Sequence, residues 1–151
     1  MNIKSLLVVP FVCAFASAVW AGPIEEVAAV AKQRAQAFNE QNLEAYVATF
    51  ADNAVYTPPR SPFRIEGKDA IKAFYTGVFQ QFPKTKVSGR QTSMRAYGDS
   101  FVISNGYLDV TLTDRNGHAN DFAFRTNQVW AKIDGKWLVV DQHNSKVPAS
   151  Q

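Results

Sequence analysis

The sequence predicts an α+β fold in which three N-terminal helices pack on a strongly bent antiparallel sheet formed by the rest of the chain. Three observations carry that prediction. The apolar period is helical up to Pro83 and changes to two from Lys84 onward. Four long runs follow, at about 85–97, 100–113, 119–133 and 136–147, and the dipeptides between them (Gly98-Asp99, Asn116-Gly117, Asp134-Gly135) are hairpin signals. Each run exceeds the usual strand length, so the sheet must twist and bend, with bulges where it does so. Helices segregated from an antiparallel meander make an α+β architecture. A curved sheet closed on one side by three helices encloses a conical interior.

The elements follow in order. Residues 1–21 read as a secretory signal peptide. Lys4 supplies the positive region, Leu6 to Val19 is apolar apart from Pro10 and Ser17, and Val19-Trp20-Ala21 places small residues at the cleavage site before Gly22. The run is too short and too interrupted for a transmembrane anchor. Residues 22–151 then form one domain. Pro23 suits the first position of a helix, and Ile24, Val27, Ala28, Ala31, Ala35 and Phe38 recur on one face of it, opposite Lys32, Gln33 and Gln36. Asn42 caps a second, short helix through Phe50, and residues 54–57 make a short strand. Residues 58–66, with three prolines, read as a loop or edge segment bearing Arg60, Phe63 and Arg64. Gly67 precedes a third helix, which Pro83 stops; Ala70, Ile71, Phe74, Tyr75, Val78, Phe79 and Phe82 give it a wide apolar face fit to pack into the hollow of a sheet.

Composition narrows the function. At 151 residues, 46% apolar and 19% charged, the chain has material for one core and is not a disordered segment. Signal removal takes away Lys4 and Cys13, lowering the formal charge from +3 by one and leaving no cysteine. Cysteine nucleophiles, thiolate metal sites and disulfides are therefore excluded from the mature chain, which must rely on its core. The basic residues are scattered, which gives no support to nucleic-acid binding. With only His118 and His143, no metal-ligand spacing exists, and no glycine-rich phosphate loop or nucleotide fingerprint implies a cofactor.

The candidate site residues cluster toward the last strand, which ends in the polar set Asp141, Gln142, His143, Asn144 and Ser145. Asp141 and His143 are two apart and share a face, so a carboxylate beside an imidazole forms a candidate general base. Neighbours so spaced stand about 7 Å apart, too far for a direct hydrogen-bonded relay to Ser145. Gln142 and Asn144 point the other way, so unless a bulge intervenes only one of the two sets faces a pocket. Tyr56, ending the short strand, is placed to donate a hydrogen bond at the mouth of the cone. Tyr46, Phe74, Phe79 and Trp130 read as core or pocket wall, and Tyr107 shares a face with Asp109, Arg125 being the cation available across the sheet. Trp130 and Tyr107 are carried as candidate ligand contacts. His118, beside an Asn-Gly turn, reads as exposed.

Three stretches carry a resemblance: Phe50-Ala-Asp-Asn-Ala-Val-Tyr56, Glu66-Gly-Lys-Asp-Ala-Ile71 and Val129-Trp-Ala-Lys-Ile-Asp-Gly-Lys-Trp-Leu-Val-Val140. They resemble the nuclear transport factor 2-like superfamily in its SnoaL-like branch, over about residues 24–147. The Asp-Gly-Lys-Trp hairpin and the His143-Asn144-Ser145 ending also look like the association (hub) domain of calcium/calmodulin-dependent protein kinase II. The resemblance implies a cone-shaped α+β barrel, a homodimer formed through the outer face of the sheet, and a pocket between sheet and helices. It implies relatives that are isomerases, dehydratases, cyclases or epoxide hydrolases working with carboxylates or histidines, and hub-type pockets that carry arginines. At two positions matching those arginines this chain has Gln128 and Asn144, which become the ligand contacts the resemblance points to.

Three functions compete. The first is a periplasmic or secreted domain that binds a small molecule in the cone. The second is a cofactor-free isomerase, dehydratase or cyclase with His143 or Asp141 as base, which requires one of them to be buried near the pocket. The third is a non-catalytic oligomerisation module.

Overall fold

The computed structural model describes residues 21–148. The signal peptide expected over residues 1–21 therefore lies, apart from Ala21, outside the described residues. The chain forms α1 (Pro23–Asn39), α2 (Leu43–Val47), β1 (Phe50–Thr57), β2 (Ile65–Glu66), α3 (Lys68–Gln81), β3 (Lys84–Tyr97), β4 (Phe101–Thr113), β5 (Ala119–Ile133) and β6 (Lys136–Lys146). The strands make one curved sheet in the order β2-β1-β6-β5-β4-β3, with β2 and β3 as its open edges. The long meander β3–β6 is antiparallel throughout.

The hairpin signals act as expected. Asp134 and Gly135 both adopt positive φ, 49° and 76°, as the tight turn between β5 and β6 demands. Asn42 caps α2, its side chain accepting from Ala45 N at 3.1 Å. That helix is shorter than its apolar residues suggest, because Phe50 is drawn into β1 where it lies opposite Val139. β1 joins β6 in parallel, so the sheet is mixed at this one pair. Helical spacing and hairpin signals contain no information about that pairing. Residues 65–66 add a two-residue edge strand after the proline-rich loop.

Within the meander of long strands, two bulges bend the sheet. In β3 the register slips between Arg90 and Ser93, and Gln91 takes a φ of 51°. Gly106 lies beneath that fold, where an added Cβ would stand 3.1 Å from the Thr92 Cα and 3.3 Å from the Arg90 carbonyl. In β6 the slip falls between Val139 and Asp141, both of which pair within two successive residues of β5.

The helices close the concave face. Val27, Phe38, Tyr46, Phe50, Ile71, Tyr75, Val102, Trp130 and Val139 are all buried in one cluster. Tyr75 lies at the centre of an aromatic group, with Tyr46 at 4.6 Å and Tyr56 at 5.7 Å between ring centroids. On α3 the wide stripe is only partly realised, since Ile71 and Tyr75 are buried while Phe74, Val78 and Phe79 are half-buried and Ala70 is exposed.

The start of α1 is pinned to the β5–β6 hairpin by Glu26, which accepts hydrogen bonds from Trp137 Nε1 at 2.6 Å and Lys132 Nζ at 2.7 Å. The bonds from Lys132 and Trp137 hold its carboxyl below the usual carboxylate range, against a smaller opposing effect of burial. A lowered folded-state value means the stabilisation is present above the unfolded value and is lost as pH falls through the folded one. Glu26→Gln is therefore expected to lower the melting temperature at neutral pH. That difference should shrink below about pH 4, where glutamates in the unfolded chain also protonate. Thermal melts of both proteins from pH 3 to pH 7 check this.

Candidate functional site

The bulge in β6 decides which side chains face the hollow. Trp137 and Val139 are buried on the concave side, and strict alternation would carry Asp141 and His143 after them. The extra residue at Val140–Asp141 shifts the phase by one, so Gln142 and Asn144 turn inward, 2% and 6% exposed, while Asp141 and His143 are exposed. The β5 side chains opposite keep their phase, Trp130, Gln128, Thr126, Phe124 and Phe122 all lying on the concave side.

Between this face and the helices lies a cavity of about 480 Å³. One part of its wall is polar: Gln142 lies opposite Gln128, which lies opposite Ser104, and Asn144 lies opposite Thr126. Farther along the same strands the wall becomes apolar through Phe124, Phe122, Leu108, Val110 and Leu112, with Phe74 and Val78 contributed by α3. Arg60, from the proline-rich loop, is exposed beside the apolar part, its guanidinium 5.5 Å from the Phe122 ring centroid.

A hydrogen-bonded network lines the polar part. Arg34 of α1 is only 5% exposed. It donates to Tyr46 Oη at 3.0 Å, to Gln142 Oε1 at 2.8 Å and to Thr49 Oγ1, and it stacks over the Tyr46 and Phe50 rings at 4.2 and 4.1 Å. Gln142 Nε2 continues to Asn144 Oδ1 at 3.3 Å, and Asn144 Nδ2 reaches Tyr56 Oη at 3.5 Å. Burial pushes the Tyr56 hydroxyl well above the ordinary tyrosine range, and Tyr46 adds to this against the opposing influence of Arg34. Burial raises Tyr75 in the same way. Both hydroxyls therefore stay protonated and available as donors.

Of the residues singled out in the sequence, Tyr56, Gln128 and Asn144 line the cavity. Tyr56 lies within the buried network rather than at the mouth. Trp130 does not reach the cavity surface: it is 0% exposed, and its indole N–H donates to Ser104 Oγ at 3.1 Å, behind the polar wall. Tyr107 and His143 lie on the outer face, in a shallow groove with Arg125, Asn127 and Ser145. Asp141 is exposed on that same side of β6. Asp141 and His143 are thus corrected as candidate bases for the cavity, because the bulge turns both away from it. Asp109 pairs with Arg90 at 3.0 Å rather than with Arg125.

Arg34 lines the cavity and has no role in the sequence analysis. The signal was present: Arg34 follows Val27 by seven and precedes Phe38 by four, which puts a cation on the apolar stripe of α1. Thr126 was also missed, and its hydroxyl is buried with no hydrogen-bond partner within the described residues.

The model of the calcium/calmodulin dependent protein kinase II association domain family matches residues 24–148. The chain belongs to that family. A solved structure from Xanthomonas campestris, described as a candidate calcium/calmodulin dependent protein kinase II association domain, is 27% identical. The similarity covers 87% of this chain and 95% of that one, with a TM-score of 0.76. A nuclear transport factor 2-like superfamily protein from Salmonella enterica is 20% identical over 85% and 94% of the two chains, TM-score 0.76. A candidate scytalone dehydratase from Novosphingobium aromaticivorans is 12% identical over 83% and 84%, TM-score 0.76. The last two show a shared fold, the nuclear transport factor 2-like cone. No curated protein sequence matches the chain. Within this association domain the buried cation of the cavity stands on α1, while the β5 and β6 positions first compared with hub arginines are the neutral Gln128 and Asn144.

Proposed function

We propose that the chain is an exported small-molecule-binding domain whose ligand occupies the cavity between the concave face and the helices. The observation that carries this reading is the lining itself: an apolar wall joined to one cluster of convergent hydrogen-bonding groups, around a volume in the range of small-molecule sites. Export is supported by the leader pattern of residues 1–21 and the absence of cysteine after it. Proton-transfer catalysis receives no such support, because no aspartate, glutamate or histidine lines the cavity among the described residues. Burial drives Tyr56 and Tyr75 there away from ionisation.

The reading is tested with residues 22–151 and the neutral apolar fluorophore N-phenyl-1-naphthylamine. Saturable binding at one site per chain is expected. Leu108→Trp, which puts an indole into the lined space, is expected to weaken that binding at least tenfold while far-UV circular dichroism stays unchanged. An absence of saturable binding to the parent protein, or undiminished binding to folded Leu108→Trp, overturns the proposal.

A further inference from the structure

The outer groove that holds Tyr107 and His143 has a volume of about 390 Å³ and shares only Asn105 and Thr126 with the lining of the cavity. Its floor is a patch of paired positions on three strands. Asn105 of β4 stands opposite Asn127 of β5, which stands opposite His143 of β6; beside them Tyr107 stands opposite Arg125, which stands opposite Ser145. The bulged part of β3 adds Gln91 and Ser93. One relay of hydrogen bonds fixes what this patch presents. Arg95 Nη2 donates to Asn105 Oδ1 at 2.7 Å, and Asn105 Nδ2 donates to Asn127 Oδ1 at 2.7 Å. A guanidinium has donors only, so Arg95 compels Asn105 to turn its oxygen toward it and its nitrogen onward. Asn127 then receives with its oxygen and keeps its Nδ2 to donate; reversing either amide would set donor against donor. Arg125, exposed next to Asn127 on the same face, takes part in no ion pair among the described residues. Among those residues no carboxylate lines the groove. Asp109 is paired with Arg90 at 3.0 Å, and Asp141, two residues before His143, lies outside the lining.

We propose that the outer groove binds a phosphate group, as the free ion or as the monoester of a small polar molecule, with Arg125 and Asn127 as its principal donors. A cation would meet a guanidinium and an amide locked as a donor, whereas an oxyanion finds charge and N–H groups together. Arginine suits phosphate in particular, because its planar set of donors matches two oxygens at once. The remaining oxygens of a tetrahedral ion point in other directions, toward the Tyr107 and Ser145 hydroxyls on the two neighbouring strands. The lining is polar apart from the Tyr107 ring, over which Arg90 already stacks at 5.0 Å, so the groove offers little to an apolar body and selects a polar carrier of the phosphate. Arg95 acts through Asn105 as a positioning residue: it does not line the groove, yet it decides which end of the Asn127 amide is offered.

The test titrates ¹⁵N-labelled residues 22–151, in the assembly they form at pH 7, with inorganic phosphate, with glycerol 3-phosphate and with glycerol, against a constant background of sodium chloride. Both phosphates are expected to give saturable shifts of the Arg125 Nε–H and the Asn127 side-chain amide, and glycerol none. The tighter of the two phosphates tells the free ion from the monoester. Arg125→Gln is expected to weaken binding at least tenfold with far-UV circular dichroism unchanged, and Arg125→Lys to retain part of it. Arg95→Gln, which frees the Asn105 amide to turn, should weaken binding at least threefold; Arg95→Lys, again a donor without an acceptor, should restore most of that loss, which a merely structural role would not predict. Three results overturn the proposal: shifts that do not saturate, as when a second copy of the chain closes the groove; equal shifts with glycerol; or undiminished binding to folded Arg125→Gln.

Discussion

Trp130→Ala is expected to lower the free energy of unfolding by about 3–5 kcal/mol, the usual cost of truncating a fully buried aromatic side chain. Among the described residues Trp130 is the largest completely buried side chain, and it fills the concave face directly behind the polar wall. Its removal also leaves the Ser104 hydroxyl, 3.1 Å from the indole nitrogen, without that donor. Trp130→Phe separates the two contributions, since it keeps most of the packing and loses the hydrogen bond. A smaller loss of about 1–2 kcal/mol is expected there. Urea denaturation of the three proteins measures both values, and a loss below about 1 kcal/mol for the alanine variant would contradict the buried position given to this residue.

The second large effect concerns Gln142. Its Oε1 accepts from Arg34 at 2.8 Å, deep in the wall. Gln142→Glu substitutes a carboxylate of nearly the same shape and so supplies Arg34 with an internal counter-ion. The variant is expected to be more stable than the parent at pH 7 by about 1–3 kcal/mol, because a charged acceptor replaces a neutral one on a buried cation. Arg34 should hold the new carboxyl below the usual carboxylate range, so this gain is present above the unfolded value of glutamate and is lost as pH falls through the folded one. Urea denaturation of both proteins between pH 7 and pH 3 measures it, and a folded variant no more stable than the parent at pH 7 would contradict the pairing of Arg34 with residue 142.

The fold was legible because its determinants are local. Asp134-Gly135 marks a turn requiring positive φ at both residues, and the strand and helix periods change at Lys84, where the chain leaves α3 for β3. The parallel pairing of β1 with β6 was not legible, since it joins segments about ninety residues apart and carries no turn signal. The site was half legible. Tyr56 stands out from its place in the short strand, and Gln128 and Asn144 only through the resemblance; all three line the cavity. Asp141 and His143 were also favoured, since an acid beside an imidazole two residues away is a persuasive pattern on a regular strand. The extra residue at Val140–Asp141 turned that pair outward, and nothing in the run Trp137-Leu-Val-Val-Asp141 announces a bulge. Arg34 was overlooked for a different reason. A charged residue within a helix suggests a solvated face, and its place on the apolar stripe becomes conspicuous only when the seven- and four-residue spacings are counted.

The central claim is that Gln142 and Asn144, rather than Asp141 and His143, meet the ligand. Side-chain amide resonances in an ¹⁵N-labelled sample of residues 22–151 report on it directly during a titration with N-phenyl-1-naphthylamine. The shifts are expected to concentrate on the Gln142, Asn144 and Gln128 side-chain amides, with the His143 imidazole and the Asn127 amide on the outer face unmoved. Shifts confined to His143, Asn127 and their neighbours in the outer groove, with the inward amides silent, would contradict the account.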